Sequence, residues 1–84
     1  MNIYEFKKIL TRKSCTITVQ GLINLQLKIE HFEMKINYDD ITIADSNKQL
    51  LGINKHQIMN IKSNSDGSIE IWLDQLLKIH ISSK

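Results

Sequence analysis

CTITVQGLINLQLKI, residues 15–29, is the stretch whose reading decides the fold. Cys15, Ile17, Val19, Gly21, Ile23, Leu25, Leu27 and Ile29 share one parity, while Thr16, Thr18, Gln20, Asn24, Gln26 and Lys28 occupy the other. Successive side chains of an extended chain point to opposite faces, so this alternation makes one face apolar and the other polar. One long half-buried strand is expected, or two strands joined without a change of face. Gly21 in the middle marks a bend or bulge.

Downstream of this stretch the alternation continues but changes phase. Phe32, Met34, Ile36 and Tyr38 are apolar at even positions, and after Asp40 the odd positions return with Ile41 and Ile43. A two-residue hairpin loop produces such a switch, because partners i and i+3 must face the same side. Glu30-His31 and Asp39-Asp40 are therefore the expected hairpin loops, with a bulge as the alternative at the first. Asp45-Ser46-Asn47-Lys48 forms a turn cluster, and Leu50, Leu51 and Ile53 make a short strand beyond it. Ile58, Met59 and Ile61 make another, ending at Ser63-Asn64-Ser65-Asp66-Gly67. Asp-Gly between alternating segments is a strong hairpin signal. Ile69, Ile71 and Leu73 follow, then Leu77, Ile79 and Ile81. Residues 54–61 and 73–80 also fit a helical period; strand is preferred for both, because short isoleucine-rich runs beside turns favour sheet.

Upstream, Ile3, Phe6, Ile9 and Leu10 fall on one helical stripe bordered by Tyr4, so residues 2–12 read as a short amphipathic helix. Too short to be stable alone, it must lean on the remainder of the chain. The whole is expected to be one domain over 1–84, α+β but mostly β. The helix at 2–12 precedes six to eight short antiparallel strands over 15–82, in a curled sheet or small barrel. This order resembles the architecture of helix-first small barrels of the Sm type, and the isoleucine series from Ile36 to Ile81 resembles the YabP/YqfC sporulation proteins. Most glycines that mark the latter are missing, no Sm motif is present, and neither resemblance implies a residue role.

Eighty-four residues leave room for one core. Such a chain buries only about 60–65% of its unfolded surface, so a staple or a partner subunit is needed for more than marginal stability. Cys15 is the single cysteine and cannot form an intramolecular disulfide. No segment reaches the roughly 18 consecutive apolar residues of a membrane span. MNIYEFKKIL has no apolar region followed by small residues, so a secretory signal is not expected and a cytoplasmic setting suits the lone cysteine. Isoleucine occurs 15 times and lysine 10 times, whereas alanine, glycine, proline and arginine total five. That bias follows AT-rich codons and points to a low-GC bacterium, its phages or its mobile elements.

Net charge is +2, but it is unevenly placed: residues 1–13 carry +3 and residues 14–84 carry −1. Lys7, Lys8, Arg12 and Lys13 supply the basic segment. Cations near a helix C-terminus complement its dipole, and the same group could dock phosphates or an acidic partner.

Catalysis needs convergent polar groups, and few are offered. Cys15 could pair with His31, His56 or His80, yet it lies on the apolar face of its strand, where a cysteine is normally an inert hydrophobe. No histidine or cysteine pair has metal-ligand spacing, so no metal and no cofactor is expected. Asp39, Asp40 and Asp45 read as turn residues, because the glycine and glutamate of a calcium loop are missing. Gly21, Gly52 and Gly67 are too dispersed for a phosphate loop.

Trp72 stands out, since its parity is that of Glu70 and Asp74 and it points away from the isoleucine face. Leu22 and Leu76 also sit on polar faces. Together they are the expected partner-binding residues of a non-enzymatic module that works by protein contact, as an inhibitor, accessory factor or self-associating subunit. Burial of Trp72 under the helix or a second layer is the competing expectation. The alternative function is nucleic-acid binding through Lys7, Lys8, Arg12 and Lys13, with Tyr38 or Trp72 stacking on bases. A minimal thiol enzyme built on Cys15 is a remote third. Partners are thus a protein or a second copy of the chain, with nucleic acid next and no membrane.

Overall fold

Asn2 opens the helix by accepting the Glu5 N–H on its side chain at 2.9 Å, an N-cap that satisfies one of the free donors of the first turn. In this computed structural model, which describes residues 2–21, 24–74 and 76–83, helix α1 runs Ile3–Leu10 and buries Phe6 and Leu10. It is shorter than the expected 2–12. Arg12 adopts a left-handed backbone with φ 67°, and its N–H donates to Phe32 O at 2.7 Å while Phe32 N–H donates to Lys13 O at 3.0 Å. The chain leaves the helix early because residues 12 and 13 pair with the first residue of a strand.

Eight antiparallel strands follow: β1 (Cys15–Gln20), β2 (Leu25–Ile29), β3 (Phe32–Ile36), β4 (Asp40–Asp45), β5 (Lys48–Asn54), β6 (Asn60–Ser63), β7 (Ile69–Trp72) and β8 (Lys78–Ser82). They form two sheets, one ordered β2-β1-β8-β7-β6 and the other β3-β4-β5. The small mostly-β architecture with a leading helix is as the sequence implies, resolved into two sheets.

In the five-stranded sheet every pairing keeps parity: Ile17 opposes Leu27 and Ile81, Ile71 opposes Ile79, and Ile61 opposes Ile71. All its core residues are therefore odd-numbered, and the stretch 15–29 is two strands sharing one face. In the three-stranded sheet Ile36 pairs with Ile41, so β3 contributes even residues and β4 odd ones. Among the described residues the shared core joins Cys15, Ile17, Ile29, Ile69, Ile71, Ile79 and Ile81 of the larger sheet to Phe32, Met34, Ile41, Ile43 and Ile53 of the smaller. Phe6 and Leu10 complete it, with the Phe6 and Phe32 rings edge to face at 6.5 Å. Burying each such side chain contributes about 1.5–3 kcal/mol.

Glu30-His31 is a correction, because β2 and β3 belong to different sheets and the two residues form the corner between them. The phase switch there arises because Ile29 and Phe32 both point into the core from opposite layers. Asp45 fixes that corner, its carboxylate accepting the His31 N–H at 3.1 Å and the Glu30 N–H at 3.4 Å. The second switch is a true hairpin, displaced by one residue: Asn37 N–H bonds Asp40 O at 2.8 Å, which leaves Tyr38-Asp39 at the tip. Residues 54–61, expected to be strand rather than a helical turn, instead hold a 3₁₀ turn at Lys55–Gln57, with the Asn54 side chain accepting the His56 N–H at 2.9 Å, and β6 begins only at Asn60. Leu73, Asp74, Leu76 and Leu77 lie outside any strand, contrary to the strand expected over 73–80, and Asp74 Oδ1 accepts the Leu76 and Leu77 N–H groups at 2.6 and 2.7 Å.

Candidate functional site

Register places the loops at two opposite ends of the sheets. Gln20 pairs with Lys78, Lys78 with Trp72 and Trp72 with Asn60, so these four mark one end of the larger sheet. Gly21, the residues Leu73 and Asp74 after β7 and the segment entering β6 all emerge there. Lys55 N–H donates to Asp39 O at 2.8 Å, which ties the Tyr38-Asp39 hairpin tip to the same end. The opposite end carries residues 12–14, the corner at Glu30-His31 and the hairpin 64–68.

Of the six large apolar side chains exposed among the described residues, Tyr4 and Ile9 lie on α1 and the other four lie at the first end. Tyr38 is 94% exposed, Leu76 82%, Met59 62% and Leu25 51%. A shallow groove there is lined by Ile58, Met59, Leu73 and Leu77 together with polar His56, Gln57 and Asp74. Gly21 is drawn into this end by close approach: a Cβ there would stand 2.7 Å from Leu77 Cδ1 and 3.2 Å from the Leu76 carbonyl oxygen. A side chain there would need the Leu77 tip to move aside and the Leu76 carbonyl to give slightly, which favours glycine without any unusual φ.

Trp72 is neither a core residue nor a bare one. It is half-buried on the outer face of the larger sheet, while the helix packs chiefly against β3 and buries Phe6 and Leu10 in the core. Its indole N–H donates to Glu70 Oε1 at 3.0 Å, and the Lys78 ammonium lies 4.9 Å from the ring centroid. Lys78 also approaches Glu70 at 3.7 Å, and Asn64 Nδ2 donates to Glu70 at 3.3 Å. Partial burial acts to raise the Glu70 pKa, but the hydrogen bonds from Trp72 and Asn64 and the charges of Lys78 and Lys62 outweigh it and leave the carboxyl below its ordinary range.

The other sequence-derived residues are placed as follows. Leu76 lies at the apolar end, whereas Leu22 falls outside the described residues. Lys8, Arg12 and Lys13 are exposed and Lys7 is half-buried. Arg12 and Lys13 adjoin Phe32 at the start of β3, whereas Tyr38 lies past its far end, about 20 Å away at roughly 3.3 Å per residue. The basic residues and Tyr38 are thus not brought together, and the one face of Trp72 that is described already carries an ammonium group. Met59, Leu25 and the groove beside them were not singled out by the sequence pattern. Leu25 has the same parity as buried Ile29, and only the reach of the covering layer distinguishes them.

Cys15 is 3% exposed, and burial, with a smaller contribution from the Asp45 charge, pushes its thiol up to about 11. A thiol held protonated at neutral pH is a poor nucleophile. Among the described residues no group of three or more His, Cys, Asp or Glu is placed to hold a metal ion, and no helix is long and apolar enough to cross a membrane. Comparison with family models, with curated proteins and with solved structures gives no match.

Proposed function

We propose that this protein is a non-enzymatic binding module whose contact surface is the end bearing Tyr38, Met59 and Leu76. The observation that carries it is the convergence of exposed apolar side chains from three separate loops on one end of the two sheets. Large exposed apolar residues scattered singly need no explanation, but a group held together by independent loops forms a docking surface. Loops mounted on a packed scaffold are also where binding residues concentrate. A groove whose lining mixes Ile58, Met59, Leu73 and Leu77 with His56, Gln57 and Asp74 suits a partner protein that offers apolar anchors beside polar groups. The buried free thiol of Cys15 suits a reducing, cytoplasmic setting.

The test is a pair of exposed substitutions, Met59→Lys and Leu76→Asp. Neither disturbs the core, so thermal unfolding should stay within about 0.5 kcal/mol of the parent. Partners cross-linked to the parent protein in cells of its source should be lost with the double variant. A folded double variant that retains the same partners sinks the proposal.

A further inference from the structure

We infer that β2 is a self-pairing edge and that two copies of the chain join through it into a continuous ten-stranded sheet. Topology makes β2 the outermost strand of the larger sheet, paired only with β1 among the described residues. The other edges are guarded. Residues 12 and 13 pair with the first residue of β3, β5 carries a bulge opposite Ile43 and Ala44, and β6 is four residues long and contains Lys62. β2 is one residue longer than β6 and carries Lys28, but no bulge interrupts it: all five residues, Leu25-Gln26-Leu27-Lys28-Ile29, pair with β1 in one unbroken register, and Leu25 is half exposed on the core-facing side.

The occupant follows from register. Antiparallel pairing of β2 with its own copy about a two-fold axis at Leu27 sets Leu27 on Leu27, Leu25 on Ile29 and Gln26 on Lys28. All five residues pair, the apolar parity of both copies stays on the core side, and no like charges meet. Moving the axis to Lys28 would oppose two lysines. An axis at Gln26 would keep only Leu25, Gln26 and Leu27 paired within the strand. An axis between residues would set apolar side chains against polar ones. The sequence of β2 is thus self-complementary in one register, and that register gives the half-exposed Leu25 an apolar cross-strand neighbour.

This contact uses the strand edge and takes up Leu25, where β2 borders the apolar end, but leaves Tyr38, Met59 and Leu76 free. Sedimentation equilibrium of the parent, Gln26→Lys and Gln26→Glu tests it, with circular dichroism to confirm that each exposed substitution leaves the fold intact. Gln26→Lys opposes Lys28 twice across the axis and should weaken the dimer about three- to tenfold; Gln26→Glu pairs with Lys28 twice and should tighten it by a similar factor. Met59→Lys with Leu76→Asp should leave the dimer unchanged. A parent that stays monomeric at millimolar concentration, a dimer indifferent to Gln26, or one weakened by both substitutions overturns the inference.

Discussion

Trp72 and Glu70 make one small polar unit on an otherwise open sheet face. Glu70 accepts from the indole and from Asn64 and is paired with Lys78. Replacing Trp72 by Ala should cost about 1–2 kcal/mol in a denaturant titration, below the about 3–5 kcal/mol of a fully buried tryptophan, because only part of the ring leaves water on folding. Because the Glu70 carboxyl is held below its ordinary 4.5, it binds protons less readily folded than unfolded. Its contribution is complete above that value and is lost as pH falls through the lowered one. Glu70→Gln should therefore flatten the acid limb of the stability profile. Cys15 titrates with the opposite sign. Its thiol keeps its proton to about 11 when folded, so the fold loses stability as pH rises from 9 toward 11. Iodoacetamide should modify Cys15 only as fast as the protein opens, and Cys15→Ala should remove this part of the alkaline limb. Rapid alkylation of the native protein would contradict the burial described.

At the scale of elements, the turns are set by a few side chains whose roles are separable. Gly67 has φ +88° in the β6–β7 hairpin, where Asp66 accepts both the N–H and the hydroxyl of buried Ser68 at 2.9 and 2.6 Å. Gly67→Ala meets no neighbour but strains the backbone, and should cost about 1 kcal/mol by thermal unfolding. Gly21→Ala acts differently, by crowding Leu77 Cδ1 and the Leu76 carbonyl, and should cost about 1 kcal/mol while displacing the Leu77 side chain at the apolar end. Asp-Gly at the hairpin and the alternation of 15–29 were legible locally because turn chemistry and period-two patterning act within a few residues. Glu30-His31 was not. A phase switch in the pattern has the same appearance whether a hairpin folds back in one sheet or a corner passes to the facing sheet. The carboxylate of Asp45, fourteen and fifteen residues away from the two N–H groups it accepts, and the Ser46 N–H, which donates to His31 O at 3.0 Å, fix the latter.

On the scale of the whole molecule, the two ends differ in chemistry. Arg12 and Lys13 mark one, and exposed Tyr38, Met59 and Leu76 mark the other. Changing Lys7, Lys8, Arg12 and Lys13 to Gln should leave partner cross-linking intact. Oligonucleotide binding that falls steeply between about 50 and 200 mM salt and needs those four cations would move the function to the basic end. The need for a partner surface, inferred at first from chain length and the absence of a staple, now has two places to go, the loop end and the β2 edge. The sequence by itself determined which side of every strand is apolar, where most turns fall, and that isoleucine fills the core, since each depends on neighbours two to four positions away. Tertiary structure alone decided which apolar residues are covered. Leu25 and Ile29 share a face of one strand, yet one is half exposed and the other buried, because the extent of the opposing layer is a property of the packed chain and leaves no mark on the local pattern.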